Sequence, residues 1–370
     1  MLNKRQAIIL LTFTSLATKL QRLPSLISIN SKQDGWLVLL ILGLFDFLLL
    51  IVALWFITKF QQYDLFEMLK QIFGNVVARI CALLVAIYFF IKAVLPFEAI
   101  HDLFANNLFN QVDYHFFGII FLVVVAFMAI KGLKNLGRQS ELYLYHVIIG
   151  IVGVLILGGI NTDFSNSLPM CQTDFNILIM EILKSSLWFG DFIILFLFCG
   201  HIKIENVKKL WIEMMLSYFV VLIVIVPLFY WIFYARYQVL AGYQTNAISS
   251  LTQFSLLELD LGRIDWILVL LEQIATIICA SLYILISGEK FSIVFNIKRK
   301  HLIMIIIAVL LFGLDIFVFR DLNSSAFAFM NMFYVFAIVC QLGLTMVFII
   351  GGLTFNKTKQ TNSNEVSQND

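Results

Sequence analysis

Thr14-Ser15-Leu16-Ala17-Thr18-Lys19-Leu20-Gln21-Arg22-Leu23-Pro24 is a polar break inside the first apolar segment of the chain, and its reading decides the fold. Ala7 to Phe13 form an apolar run before it, and Leu26 to Ile29 resume one after it. Hydroxyls, two cations and a proline therefore fall at or near membrane depth. Backbone that leaves the helical ladder inside a bilayer is tolerated only where it is buried in protein or lines a cavity. Charged side chains at that depth mark a substrate or ion path. The stretch reads as a broken helix beside a binding site. The plainer alternative is a short span, Gln6 to Thr18, from which Lys19 and Arg22 reach the outer interface on their aliphatic stems.

The rest of the chain has the composition this reading requires. Of 370 residues 61% are hydrophobic and 13% charged, with a mean hydropathy of +0.95, which excludes a soluble globular domain. A crossing helix needs about 20 apolar residues. Ten stretches qualify, at about 6–28, 35–58, 77–97, 115–131, 140–160, 183–200, 210–235, 264–287, 300–319 and 327–352. With the N-terminus inside, the inner segments hold 17 of the 25 Lys and Arg residues and the outer segments 4, with Lys19, Arg22, Lys92 and Lys184 in or near spans. Cytoplasmic loops carry that excess, so both termini are expected in the cytoplasm. The expectation is an all-α, multi-pass protein integral to a lipid bilayer. Residues 1–356 would form one transmembrane domain and 357–370 a polar, disordered cytoplasmic tail.

Several function classes are excluded. The spans contain no HExxH, GxSxG, P-loop or dinucleotide fingerprint, so no enzyme activity is expected. Cys81, Cys171, Cys199, Cys279 and Cys340 show no disulfide or metal spacing, and no cofactor is implied. No basic-aromatic pattern points to nucleic acid. The first segment keeps its polar break and lacks a small-residue cleavage site, so it does not read as a removable signal peptide.

Further polar residues lie along the spans. Asp46 sits a third of the way into span two, where Lys19 or Arg22 are candidate partners. Tyr63 to Phe73 reads as an amphipathic helix on the inner face. Span three carries Lys92, Pro96 and Glu98, with His101 and Asp102 a turn beyond; it is either a kinked solute entrance or the start of a hydrated loop. Arg138 and Glu141 can pair across one helical turn, and Gly150, Gly153, Gly158 and Gly159 offer close helix packing. The aromatic end of span seven, Phe229 to Tyr234, is expected to face lipid. Asp265, Glu272, Thr276, Cys279 and Tyr283 form a polar stripe on span eight. Glu272 is deep enough to need a partner or a proton, and Asp315 lies near an outer end of span nine.

Span six opens Lys184-Ser185-Ser186-Leu187-Trp188-Phe189-Gly190-Asp191-Phe192, where a glycine and an acid again interrupt an apolar helix. The first span of each set of five is thus broken. That placement is the signature of a five-plus-five inverted repeat, in which two discontinuous helices frame a midplane site.

Four short motifs resemble one family, the membrane-embedded B subunits of bacterial endospore nutrient receptors, known as spore germination permeases. They are Asp34-Gly35-Trp36, Gly137-Arg138-Gln139-Ser140-Glu141, Phe189-Gly190-Asp191-Phe192, and Arg263-Ile264-Asp265 with Ser281 and Tyr283 following. The resemblance implies a fold similar to the amino acid–polyamine–organocation transporters, with a small-nutrient site between spans one, three, six and eight. It also implies partners, an A subunit and a lipoprotein C subunit, in the spore inner membrane. The sequence departs from the family pattern at Thr14 to Ala17, where a glycine is common, at Lys19, and at Glu272, where a neutral bulky residue is usual.

The candidate ligand-binding residues are Thr14, Ser15, Ala17, Thr18, Lys19, Trp188, Gly190, Asp191 and Tyr283, with Glu98 and Glu272 on a candidate proton or ion path. Lys19, or amides freed by the first break, would face the carboxylate of an amino acid, and Asp191 or Glu98 its ammonium group. Two other readings compete with such a nutrient sensor. One is a proton-coupled amino-acid transporter using the same site. The other is a scaffold whose pocket is vestigial and whose loops dock partners.

Overall fold

In an apolar solvent each segment must satisfy its own backbone, and helices do so. The structure, a computed structural model, describes residues 2–60, 63–103, 114–160, 162–204, 206–258, 265–318 and 322–368, and they are overwhelmingly helical. The helices are α1 (Lys4–Ala17), α2 (Leu23–Ser31), α3 (Gly35–Lys59), α4 (Leu65–Asp102), α5 (Tyr114–Ile130), α6 (Leu133–Leu142), α7 (Leu144–Gly159) and α8 (Phe175–Ser185). They continue as α9 (Ile193–Leu197), α10 (Val207–Phe219), α11 (Val226–Tyr237), α12 (Ala247–Glu258), α13 (Asp265–Val294), α14 (Lys300–Val318) and α15 (Leu322–Gln368). Among the described residues the strand content is a two-residue parallel pair, β1 (Leu2–Asn3) and β2 (Ile202–Lys203), which ties the start of the chain to the segment after α9.

Among the described residues five stretches are long and apolar enough to cross a membrane: Leu23–Lys59, Leu65–Ile100, Val207–Tyr243, Trp266–Val294 and Ala328–Phe355. A sixth is added if Gly118–Ile130 and Leu133–Leu142, bent by 114° at their junction, count as one. Leu144–Gly159 and Lys300–Leu314 are apolar but shorter. This is a multi-pass helical membrane protein. The two stretches singled out by their polar breaks are short for a physical reason. α1 stops at Ala17, and α9 has five residues because Phe189–Phe192 leave the helical path before it.

α13 is the centre of the bundle, packing against α1, α4, α5, α7 and α14. Gly150 and Gly153 let α7 approach it closely, since a Cβ at either would meet Leu268 or Leu271. Gly158 packs instead on Ile232 and Leu251, and Gly159 has open space around it. α4 opens with its N-cap Asp64 accepting the amides of Phe66 and Glu67. Gly74, at φ +82°, then separates a short segment, Leu65 to Phe73, from the membrane portion. Leu65, Phe66, Met68 and Leu69 are buried there while Glu67 and Lys70 are exposed, an amphipathic pattern.

Three expectations are corrected. The aromatics of α11 do not face lipid. Phe229, Tyr230, Phe233 and Tyr234 are buried, because α11 packs on α3, and the Tyr230 hydroxyl donates to the carbonyl of Lys32 just before that helix. Arg138 is not the recorded partner of Glu141, which instead takes the Gln6 amide at 3.1 Å and pairs with Arg5 at 3.5 Å, pinning α6 to α1. Asp46 pairs with neither Lys19 nor Arg22 directly. It accepts the Gly190 amide at 2.8 Å and the Tyr218 hydroxyl at 2.9 Å. α15 carries its helix through Gln368, into the polar residues that composition assigns to a tail. Arg263 and Ile264 lie outside the described residues, as do the side chains of His101, Asp102, Asp265 and Asp315.

Candidate functional site

The second helix break is built around one glycine. Gly190 has φ +85°, a region that costs an L-residue about 1–2 kcal/mol. A Cβ there would also clash with the Tyr88 hydroxyl and come within 2.6 Å of Gln341 Nε2. The turn strands backbone groups that side chains then satisfy. The Phe189 carbonyl accepts from Lys92 Nζ at 2.8 Å, Tyr88 Oη at 3.1 Å and Gln341 Nε2 at 3.1 Å, and the Ser186 carbonyl accepts from Gln341 at 2.8 Å. Asp46 of α3 holds the Gly190 amide.

Asp191 emerges from this turn into a ring of donors. Lys19 Nζ lies 2.6 Å from Oδ2, Lys92 Nζ 2.5 Å from Oδ1, and the Tyr283 hydroxyl 2.6 Å from Oδ1. The side chains of both lysines and of Asp191 are fully buried. Aromatic faces surround the cations, with Lys19 4.9 Å from the Phe189 ring and Lys92 5.4 Å from that of Tyr283. Two lysines against Asp191 alone would leave an excess positive charge. Asp46 holds the Gly190 amide in the same turn, so the formal charges of Lys19, Lys92, Asp46 and Asp191 sum to zero. The α1–α2 break, α3, α4, the α8–α9 break and α13 each contribute to the cluster.

Above it, the first break carries a second polar group. Gln21 Nε2 donates to Thr276 at 2.6 Å and to Glu272 at 3.1 Å, and Gln273 Nε2 donates to Glu272 at 2.9 Å. These recorded partners of the buried Glu272 are neutral. Arg22 pairs with Glu98 at 3.8 Å and donates to the Thr245 carbonyl at 2.8 Å, while the Ala247 amide donates to the Gln21 carbonyl at 2.9 Å. The residues before α12 thus close over the break.

The structure places each sequence candidate. Lys19, Gly190, Asp191 and Tyr283 meet in one cluster, and Trp188 is buried in the turn leading to it. Ala17 is the last residue of α1. Thr14 spends its hydroxyl on Leu10 and Leu11 in its own helix, and its carbonyl faces the Cys279 thiol. Ser15 lies beside Tyr218, and the Thr18 hydroxyl is buried without a hydrogen-bond partner. Glu98 and Glu272 stand outside the cluster, in the Arg22 and Gln21 groups. Sequence reasoning missed Lys92, Tyr88, Tyr218 and Gln341 as members. Lys92 had a signal, an isolated cation in an apolar run; the neutral residues had none.

The family model for spore germination proteins, Spore_permease, matches residues 1–321. Spore germination protein A2 of Bacillus subtilis (strain 168) is 28% identical over 174 residues, 46% of this chain and 47% of that protein. The match thus spans about half the length of that relative.

Proposed function

The chain belongs to the spore germination permease family, and from that premise we propose that it is a nutrient-sensing membrane subunit of a germinant receptor. In this reading it binds an amino acid or similar zwitterion where the two helix breaks meet. The observation that carries the reading is the pairing of Lys19 from one break with Asp191 from the other, both fully buried. A zwitterion entering between them would give its carboxylate to Lys19 and its ammonium to Asp191. Each protein charge would exchange one partner for another without either being left bare, which a buried charge does not tolerate. Lys92 and Tyr283 would keep Asp191 ionised and oriented, and Trp188 and Thr18 would line the approach.

The architecture that goes with it has ten spans in a five-plus-five inverted repeat, spans one and six broken, and both termini cytoplasmic. The short helices α7 and α14, the bent α5–α6 pair and the two interrupted segments supply the crossings beyond the five long ones. Its partners would be an A subunit and a lipoprotein C subunit.

A second reading, a proton-coupled amino-acid transporter, is favoured by Glu272, a buried carboxyl whose recorded partners are neutral. Such a group is suited to carrying a proton. Binding of labelled amino acids to the protein in lipid, wild type against Lys19→Ala and Gly190→Leu, tests the site. Saturable binding lost in both folded variants is expected, and retention in both rejects it. Uptake into liposomes driven by a pH gradient and abolished in Glu272→Gln would select the transporter.

A further inference from the structure

A second candidate site lies at the end of the bundle away from the N-terminus, where α8 packs against α2. A cavity of about 320 Å³ opens there, lined by Asn30, Asn176, Ile177, Met180, Glu181 and Lys184. Its floor is the carboxylate of Glu181. Glu181 is 1% exposed although the neighbouring Ile177 and Met180 are exposed. Its Oε2 accepts from Asn30 Nδ2 at 2.9 Å, and its buried Oε1 has no hydrogen-bond partner. A buried carboxylate oxygen without a donor is costly. Burial raises the proton affinity of Glu181 above that of an ordinary glutamate, although Asn30 and Lys184 oppose the shift.

The missing component is a donor of limited charge. A bare divalent cation fits poorly, because one carboxylate cannot supply its six or more oxygen ligands and Lys184 adds positive charge at the rim. A primary ammonium group fits well. It brings one charge and three donors, one for Glu181 Oε1 and the others for the side-chain carbonyls of Asn30 and Asn176. The apolar wall of Ile177 and Met180 would take a short aliphatic chain.

We propose that this cavity binds the primary ammonium group of a small aliphatic amine or amino acid, with Glu181 as counter-ion and Asn30 holding the carboxylate in place. The site shares no residue with the Lys19–Asp191 cluster and stands whether or not that cluster binds a ligand. With the termini in the cytoplasm it faces outward, at the mouth between the outer halves of the two broken helices.

The test is equilibrium binding of radiolabelled ethylamine to the full chain in lipid nanodiscs. Saturable binding is expected, weakened about tenfold in Glu181→Gln, the loss of one charge-assisted hydrogen bond. It should also be weakened in Asn176→Leu, which removes a carbonyl offered to the ammonium, and propionate should not compete. The proposal is overturned by the absence of saturable binding to folded wild-type protein, by equal affinity in folded Glu181→Gln, or by competition from propionate. If Glu181→Gln does not fold, unchanged binding in folded Asn176→Leu overturns it instead.

Discussion

Removing Asp191 should damage the protein far more than removing Lys19, although the two form one ion pair. The asymmetry follows from who remains. In Asp191→Asn, Lys19 and Lys92 stay fully buried and lose the carboxylate that each approaches within 2.6 Å. Breaking a buried pair by deleting one partner costs about 3–5 kcal/mol. Two cations share this counter-ion, so the upper end of that range applies. In Lys19→Met, by contrast, Asp191 keeps Lys92 at 2.5 Å and Tyr283 at 2.6 Å. One charged hydrogen bond worth about 1.5–3 kcal/mol is lost, but the desolvation of an ammonium group is lost with it and the methionine fills the space. The net change should be about 0–2 kcal/mol. Thermal unfolding of both variants in the same nanodiscs, followed by tryptophan fluorescence, measures the difference. The Asp191→Asn protein should melt well below Lys19→Met, and Lys92→Met should partly rescue it. Equal melting of the two single variants, or a more severe Lys19→Met, would show that Asp191 is not the shared counter-ion and would refute the charge assignment.

Other residues give sharper local tests. Gly190→Ala should cost about 2–4 kcal/mol, combining positive-φ strain with overpacking against Tyr88 and Gln341, and Gln341→Ala should recover only part of the packing cost in the same melt, because the Tyr88 hydroxyl remains. Asp34 accepts the consecutive amides of Cys171, Gln172 and Thr173 at 2.5, 2.9 and 2.8 Å. In Asp34→Ala the exchange of those three amides, read by mass spectrometry, should quicken about ten- to a hundredfold, as expected for charged hydrogen bonds of about 1.5–3 kcal/mol; unchanged exchange would mean the loop is held otherwise. Glu181 holds its proton more tightly when folded, because burial outweighs Asn30 and Lys184. Tyr230 also lies in its field. The native state therefore binds more protons than the unfolded chain, and stability falls as pH rises from the ordinary glutamate value toward the raised one. Glu181→Gln should remove that slope from the melting temperature.

The two breaks were legible because both violate the rule that a span stays apolar and helical. Thr14 to Pro24 and Ser185 to Asp191 each concentrate polar residues where lipid penalises them, and Lys19, Asp46, Asp191 and Glu272 stood out for the same reason. What could not be read was partner choice. Asp46 had two cations within plausible reach, yet it holds an amide and a hydroxyl, because Gly190 turns its N–H toward α3 and Lys19 is drawn to Asp191. Glu141 similarly had a partner one turn away and took one 135 positions distant. Tyr88, Tyr218 and Gln341 are ordinary residues in sequence and matter only because the Phe189–Gly190 turn exposes carbonyls beside them. Aromatic content misled for α11, since burial in protein and exposure to lipid favour the same side chains, and only the hydrogen bonds of their polar tips tell the two apart.

The charge balance of the cluster also limits what the proposed site can accept. Lys19, Lys92, Asp46 and Asp191 sum to zero in a place with no exposed charged side chain. A zwitterion leaves that sum unchanged, whereas a ligand with net charge would leave one charge uncompensated in a medium that penalises it by several kcal/mol. A net anion would therefore need an accompanying proton, and a net cation would need to displace one. Glu272 is the buried carboxyl with neutral recorded partners that could exchange it. Binding of a neutral zwitterion such as alanine should then be nearly independent of pH across the neutral range, while binding of aspartate should strengthen as pH falls and lose that dependence in Glu272→Gln. If alanine binding carries the same pH dependence as aspartate binding, the cluster is not self-neutral, and the exchange of partners between Lys19 and Asp191 is not how a ligand enters.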